Sequence, residues 1–333
     1  MSTEIVDDLL ARLPSPDEAA RAAVRERASC VLRPAGALAR LDQLAGWLAA
    51  WQRTDRPAVR RCVALIFAGD HGVTGEEVSA YPASVTAAML AALRSGAATA
   101  CALAASVGAG LEVVDVGVGA PTGNIAVEDA MTRERWAASF DVGRAAVRDL
   151  EADLLVLGEM GIGNTTVAAA VCSVVFGGDA GLWTGAGTGV AGKALARKVG
   201  VVNRARTRVR DERSPMEMLR RVGGSELAAI AGATMEARLR SVPVLLDGYT
   251  VTAAVAPLEV ARGGALAHCR VAHRSAEPGH TRLLERLALW PILDLEMRLG
   301  EGSGALLAVP IVRAAADAVM NVQTFAQWGL AST

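Results

Sequence analysis

The feature that most constrains the fold is a short apolar run that recurs along the middle of the chain and ends in glycine and acidic residues. Clear examples end at Gly69-Asp70, Gly158-Glu159 and Asp247-Gly248. Short apolar runs of this kind are typical of buried parallel strands, whose carboxyl ends carry the ligand sites of open α/β sheets. We predict strands at 62–67, 111–117, 153–158, 243–248 and 265–269.

Alanine-rich stretches with helical spacing lie between and around these runs. We predict helices at 4–55, 84–107, 165–176, 224–240, 282–299 and 305–328. Alternation of strands and helices indicates an α/β fold: a three-layer, Rossmann-like arrangement in which helices flank a parallel sheet. Because both ends of the chain are helical, we expect a small helical domain from residues 1–55 plus 282–333, and an α/β domain at 56–281.

Composition argues against several classes of function. The 333 residues are 52% hydrophobic and 21% charged, with a formal net charge of −1, so nothing favours a nucleic-acid partner or an anionic membrane surface. We found no uninterrupted apolar run of the roughly 18–20 residues that a membrane span needs, and expect no membrane partner. The five cysteines form no CxxC pair or Cys/His cluster. We therefore expect no disulfide framework, no metal site and a reducing, cytoplasmic setting.

The glycine-rich segment 158–166 follows a predicted strand and opens a predicted helix. Glycines let backbone N–H groups approach an anion closely, and a helix N-terminus adds unpaired N–H donors. Asn164, Thr165 and Thr166 are residue types that cap helices and also donate to phosphate oxygens. The segment lacks the lysine of a Walker A loop. It predicts a phosphate site, with a plain strand–turn–helix joint as the alternative.

Three further segments hold residues suited to chemistry. Lys198 follows the glycine cluster 185–189 and is either a phosphate partner or a solvated helix lysine. Glu301 stands between glycines in 298–304 and is either a general base with a raised pKa or a surface residue in a turn. The segment 273–280 holds two histidines at a spacing that matches no zinc template, so a structured loop near the site is favoured. Tyr81 either stacks on a flat ring or is partly buried.

Together these segments resemble the nicotinate-nucleotide–dimethylbenzimidazole phosphoribosyltransferase family, which activates the lower ligand of cobalamin. The most specific matches are LGEMGIGNTT (157–166), HRSAEPGH (273–280) and RLGEGSGA (298–305). Other matches, in order along the chain, are FAGDHGV (67–73), VSAYP (78–82), VVDVGV (113–118), LARK (195–198), GGSELAAIAGA (223–233) and VPVLLDG (242–248).

The resemblance implies a reaction. Nicotinate mononucleotide gives its phosphoribosyl group to 5,6-dimethylbenzimidazole, yielding α-ribazole 5′-phosphate and nicotinate without any cofactor. Glu301 would be the catalytic base. Binding of the donor phosphate and ribose would fall to Glu159, Gly161, Gly163, Asn164, Thr165 and Lys198. The acceptor base would lie against Ser79, Tyr81, Ala88 and Leu299. The resemblance also implies a homodimer.

The sequence departs from the family pattern near the acceptor. Ala88 stands where the family usually carries a glutamine that reaches the base, and Ser225 replaces a usual aromatic residue. A different acceptor, such as adenine, a phenol or another azole, is therefore an alternative. A non-catalytic nucleotide-binding subunit is a second alternative, against which the presence of Glu301 argues.

Overall fold

The computed structural model describes residues 4–330, and its centre is one sheet of five parallel strands. The strands are β1 (Cys62–Ala68), β2 (Gly110–Asp115), β3 (Leu154–Met160), β4 (Val244–Leu246) and β5 (Cys269–Val271). Their order across the sheet is β2-β1-β3-β4-β5. The first four predicted strands are confirmed within a few residues. The fifth prediction was displaced: residues 265–268 form a turn, and the strand begins at Cys269.

Helices surround this sheet. They are α1 (Glu4–Ala11), α2 (Glu18–Cys30), α3 (Ala39–Gln52), α4 (Val85–Arg94), α5 (Thr99–Val107), α6 (Arg133–Arg148), α7 (Asn164–Phe176), α8 (Gly192–Arg208), α9 (Pro215–Val222), α10 (Ser225–Leu239), α11 (Tyr249–Ala261), α12 (Pro278–Leu287) and α13 (Ser303–Met320). Short 3-10 helices lie at Gly72–Glu76, Ala180–Leu182 and Ala326–Trp328.

Four of the predicted helical stretches were too long; one of them, 305–328, ends as an α-helix at Met320. The stretch 4–55 is interrupted around Pro14 and Pro34, where proline removes a backbone donor and clashes with the preceding turn. The stretch 84–107 is two helices separated near Gly96, whose φ of +81° a helix cannot contain. The stretch 282–299 was wrong beyond Leu287, because Ala288 takes a left-handed conformation and extended chain follows.

The core has two faces, as the strand pattern predicts. Leu65, Phe67 and Leu157 point into the larger apolar cluster, which includes α6, α7, α10 and α11. Ala64 and Ile66 point into a second cluster that includes α3, α5 and α13. Successive strand residues thus serve opposite faces, which gives the three layers. The division into a terminal helical domain and a central α/β domain stays a prediction.

Two stretches within residues 4–330 are long and apolar enough to cross a membrane by length and composition alone, which differs from the expectation that none would be. One is α13, of which 56% is buried inside the protein. The other, 85–107, is the two helices α4 and α5 with a break between them, so it is not one continuous span.

The crossing of α6 and α10 depends on two glycines. A Cβ added at Gly143 would lie 1.8 Å from the carbonyl oxygen of Ala229, and one at Gly232 would lie 2.0 Å from that of Phe140. Moving these backbone atoms apart would disrupt the packing of the two helices. Only glycine therefore allows the helices to approach this closely.

We therefore expect Gly143→Ala to lower the free energy of unfolding by about 3 kcal/mol, at the upper end of the range for overpacking. The measurement is the urea midpoint. Gly200→Ala in α8 is the matched control, because a Cβ there meets nothing within 4 Å. The control should be neutral or slightly stabilising, since alanine favours helix. Equal stability of the two variants would contradict this account of the crossing.

Candidate active site

A cavity of about 390 Å³ lies at the carboxyl ends of the strands, where the loops after β3, β4 and β5 meet α4 and the segment 298–301. A larger groove of about 720 Å³ lies elsewhere, between α3 and residues 288–292. Its lining has two arginines but no carboxylate. The cavity at the strand ends gathers the residues that the sequence singled out, as expected for a parallel α/β sheet.

The loop between β3 and α7 forms one wall of this cavity. Gly161 packs so closely that a Cβ there would lie 2.5 Å from the carbonyl oxygen of Gly69. Gly163 has a φ of +94° and lies below the lining, against Thr74, where it starts α7. Asn164 and Thr165, in the first turn of α7, line the cavity. The glycines thus bring a helix N-terminus to the cavity wall, which is an arrangement that binds anions.

Lys198 lies behind this wall and does not line the cavity. Its Nζ donates to Thr165 Oγ1 at 2.9 Å and to the carbonyl oxygen of Gly185 at 3.0 Å. A Cβ at Gly187 would lie 2.7 Å from the same nitrogen, so the backbone of Gly187 packs closely against it. The side chain is 1% exposed, and burial lowers the pKa of Lys198 to about 8. The solvated-lysine alternative is therefore wrong, and a buried cation stands next to the α7 N-terminus.

Glu301 lines the cavity and is 3% exposed, so the surface-turn alternative is also wrong. Its backbone has a φ of +59°, in a region that favours glycine. Its Oε2 has no hydrogen-bond partner within residues 4–330. Burial raises the pKa of Glu301, the backbone N–H of Ala100 lowers it, and the charge of Asp247 raises it. A buried carboxylate with a raised pKa and a free oxygen is suited to accept a proton.

Three more carboxylates line the cavity, those of Glu159, Asp247 and Glu277. Glu159, at the end of β3, accepts a hydrogen bond from Asn164 Nδ2. Burial first, and then the charges of Asp247, Glu226 and Glu301, raise the pKa of Glu159 well above its ordinary value. Asp247, at the end of β4, is completely buried. Like charges this close disfavour simultaneous ionisation, so Glu159 is the carboxylate most strongly held in its neutral form.

An apolar wall of the cavity comes from the segment before α4, from α4 itself and from the loop before Glu301. Tyr81, Val85, Met89 and Leu299 line the cavity there, and Tyr81 is 54% exposed. Ala88 does not line the cavity; it is exposed on α4, between the two lining residues of that helix.

Ser79 also lies outside the lining. Its Oγ is 3.0 Å from Oγ1 of Thr188, which does line the cavity. Ser79 is therefore placed to support Thr188 from behind.

The segment 273–280 contributes more to the site than its motif alone indicated. His273, Ser275 and Glu277 line the cavity and are all buried. Glu277 Oε1 accepts a hydrogen bond of 2.8 Å from the backbone N–H of Gly187, which fixes the second glycine loop. His280 Nδ1 accepts one of 2.9 Å from the N–H of Ser275, and burial lowers the pKa of His280 to about 3. His280 is therefore a neutral, structural residue.

Sequence reasoning did not assign roles to several cavity residues, chiefly Asp247, Thr188, His273, Ser275, Glu277 and Arg298. The signal for Asp247 was present, since it ends a predicted strand in the same way as Glu159. The Arg298 guanidinium donates to the carbonyl oxygen of Gly187 at 3.0 Å, a contact between segments 111 residues apart that no local pattern indicates.

Comparison with known proteins is consistent with this geometry. A phosphoribosyltransferase family model matches residues 13–330. The nicotinate-nucleotide–dimethylbenzimidazole phosphoribosyltransferase of Rhizobium meliloti is 48% identical over 327 residues, covering 98% of this chain and 96% of that protein. The protein of the same name from Methylorubrum extorquens is 46% identical over 319 residues, covering 95% and 93%.

Two solved structures of similar proteins have the same fold as this chain. The crystal structure of CobT from Thermus thermophilus has a TM-score of 0.90 and 38% identity, covering 94% of this chain and 99% of that one. A second structure from the same organism, named nicotinate-nucleotide–dimethylbenzimidazole phosphoribosyltransferase, has a TM-score of 0.89 and 37% identity, covering 95% and 99%.

Proposed function

This chain belongs to the nicotinate-nucleotide–dimethylbenzimidazole phosphoribosyltransferase family, and we propose that it transfers the phosphoribosyl group of nicotinate mononucleotide to 5,6-dimethylbenzimidazole at the strand-end cavity. The products are α-ribazole 5′-phosphate and nicotinate. The observation that carries the proposal is Glu301, a buried carboxylate whose Oε2 has no partner within residues 4–330, in the same cavity as an apolar wall and the N-terminus of α7.

The donor's 5′-phosphate binds at the start of α7. Its oxygens accept hydrogen bonds from the groups around Gly161, Asn164, Thr165 and Gly187, all of which line the cavity. Lys198 supplies a positive charge directly behind Thr165. A helix N-terminus and one buried cation together favour a dianionic group over the neutral acceptor.

The acceptor base lies against the apolar wall of Tyr81, Val85, Met89 and Leu299. These side chains suit a flat, apolar bicyclic ring, whose removal from water on binding is favourable. In this position the ring faces the carboxylate of Glu301. No polar side chain from α4 reaches the ring, because Val85 and Met89 are the residues of that helix that line the cavity.

The chemistry follows from these placements. A benzimidazole nitrogen attacks the anomeric carbon from the face opposite nicotinate, so the configuration is inverted to α. The attacking ring gains positive charge as the new C–N bond forms, and Glu301 removes the N–H proton from its other nitrogen. The electron pair of the breaking bond returns to the pyridinium nitrogen of nicotinate, which leaves without needing a proton. The cavity supplies orientation, one base and one phosphate anchor.

The test is incubation of the protein with nicotinate mononucleotide and a panel of bases, following nicotinate release. We expect release with 5,6-dimethylbenzimidazole and formation of an equimolar nucleotide product. Absence of release with every acceptor would refute an enzymatic role and leave the non-catalytic alternative.

The apolar lining that α4 contributes is the observation that favours a second acceptor class. Because this helix presents only apolar side chains to the cavity, acceptors held without an amide hydrogen bond remain candidates. Release with adenine or a phenol, and none with benzimidazoles, would establish that alternative. A cytoplasmic location, which rests on the scattered cysteines, and a homodimeric state, which rests on the family resemblance, are further proposals.

A further inference from the structure

We propose that Asp247 is a positioning residue for Glu301: its carboxylate, at the end of β4, binds the first backbone N–H groups of α13 and fixes the turn that carries the base. The inference rests on the proposed function, in which Glu301 accepts the proton. Asp247 is a completely buried acid in the cavity lining that the reaction itself does not use.

The turn that carries Glu301 needs outside support. Gly300, Glu301 and Gly302 have φ values of +85°, +59° and +72°, so three successive residues are left-handed. Glutamate does not adopt this conformation readily, and such strain persists only where the surrounding structure determines it. A single anchor would leave the turn free to relax to an ordinary conformation, which would carry the carboxylate away from its place.

One anchor comes from β3. The backbone N–H of Glu301 donates to the carbonyl oxygen of Glu159 at 3.0 Å. Gly158 packs directly below, since a Cβ there would lie 2.4 Å from the nitrogen of Gly302. This anchor holds the N-terminal half of the turn against the sheet.

The second anchor is Asp247. Its Oδ1 accepts a hydrogen bond of 2.9 Å from the backbone N–H of Ala305, in the first turn of α13. The N–H groups of Gly304 and Gly302 also favour its ionised form, lowering the pKa that burial raises. A carboxylate at the N-terminus of an 18-residue helix is stabilised by the unpaired donors and the helix dipole. Asp247 therefore holds the C-terminal half of the turn.

His273 completes this anchor. Its Nε2 lies 3.5 Å from Asp247 Oδ1, and the ring packs where a Cβ on Gly304 would be only 2.0 Å from Cδ2. The glycine at 304 thus lets the imidazole sit against the first turn of α13.

The charge of Asp247 also acts on the base, raising the pKa of Glu301. The other acidic, basic or imidazole side chains that line the cavity around this turn are Glu159 on β3, His273 and Glu277 after β5, and Arg298 in the same loop. Glu226 on α10 acts on Glu159. Of these, Asp247 is the carboxylate that both binds the turn and changes the pKa of the base.

The test compares Asp247→Asn, Asp247→Glu and the wild type in the nicotinate-release assay, with kcat measured across pH at saturating substrates. Asp247→Asn keeps the shape but loses the charge. We expect kcat to fall about tenfold or more because the base is less well held. We expect the acid limb of its pH profile to move to lower pH, since a like charge near Glu301 is gone. The KM for nicotinate mononucleotide should stay within about threefold, because the phosphate site is untouched.

Asp247→Glu distinguishes the effect of the position of the carboxylate from the effect of its charge. It retains the negative charge but displaces the carboxylate by one methylene, so kcat should fall about tenfold or more while the acid limb stays at the wild-type pH. Asp17→Asn is the matched control: Asp17 caps α2 by accepting from the N–H of Ala20 at 2.9 Å and does not line the cavity. It should leave both kcat and the pH profile unchanged.

An unmoved acid limb with wild-type kcat in folded Asp247→Asn would overturn the inference, as would a lower Tm with unchanged kinetics. If Asp247→Asn does not fold, wild-type kcat in Asp247→Glu overturns it equally. These outcomes are separate from failure of the proposed function, which would appear as absence of nicotinate release by the wild type in the same assay.

Discussion

Glu301→Gln should reduce kcat by about 10²- to 10⁴-fold, the usual contribution of a positioned general base. The amide keeps the size and shape of the carboxyl group but cannot accept the proton from the acceptor ring. Donor binding should be largely unchanged, because Glu301 is not part of the phosphate site, and so KM for nicotinate mononucleotide should stay near the wild-type value. Steady-state nicotinate release and direct titration of the donor measure the two effects separately.

The matched control is Glu236→Gln. Glu236 is 8% exposed and its carboxylate accepts from the Arg144 guanidinium at 2.9 Å, outside the cavity lining. Loss of that carboxylate should affect stability but leave kcat per folded molecule intact. Unchanged turnover in Glu301→Gln would refute the role of Glu301 as the base.

The pH dependence gives an independent check on the same residue. Burial raises the pKa of Glu301, and the base works only when ionised. Activity should therefore be full above that raised pKa and be lost as pH falls through it, at a higher pH than for an ordinary glutamate. The residual activity of Glu301→Gln should lack this acid limb.

Lys198→Met should raise the KM for nicotinate mononucleotide by about 10- to 100-fold, as expected for loss of a buried positive charge behind the phosphate site. Methionine fills nearly the same space, but the Nζ that donates to Thr165 and the Gly185 carbonyl is lost. The effect on kcat should be smaller, because the phosphate lies away from the reacting carbon. Initial rates across donor concentrations separate the two constants.

Lys193→Met is the control for this variant. Lys193 lies in the same helix but is exposed, so its removal should leave KM near the wild-type value. An equal KM in Lys198→Met and Lys193→Met would show that the buried lysine does not bind the donor.

The wild type should also lose donor affinity as pH rises through about 8. Burial lowers the pKa of Lys198 to about 8, so the cation is present below that pH and is lost above it. Consequently kcat/KM for the donor should fall on the alkaline side in the wild type. Lys198→Met should lack this limb, since no titrating group remains at that position.

The local sequence pattern was sufficient to predict most of the strands of this protein. Each apolar run that ends in a glycine and an acidic residue became a strand, because a buried parallel strand needs apolar side chains on both faces. The same ends carry Glu159 and Asp247 into one cavity. The helix prediction failed at 288–299, where leucines at helical spacing lie in extended chain. Pro291 and the left-handed Ala288 exclude a helix there, and a bridge pairs Leu293 with His273.

The residues of the candidate site could also be predicted only in part from the sequence. Glu301 and Lys198 were found by motif, but from spacing alone each was as compatible with a solvated surface position. Ala88 was assigned to the acceptor wall, whereas Val85 and Met89 on the same helix line the cavity. A helix presents positions three or four residues apart on one side, so an error of one position turns a side chain away by about 100°.

The sequence by itself therefore determined the order of strands and helices, the glycines that allow close approach, and the residues available for chemistry. These depend on interactions between near neighbours in the chain. Only the tertiary structure decided that the glycine-rich segment 158–166 faces Lys198, and that Glu301 is held in a left-handed turn between β3 and Asp247. The pKa of a carboxylate depends on its burial and on the charges around it, and those come from segments far apart in the sequence.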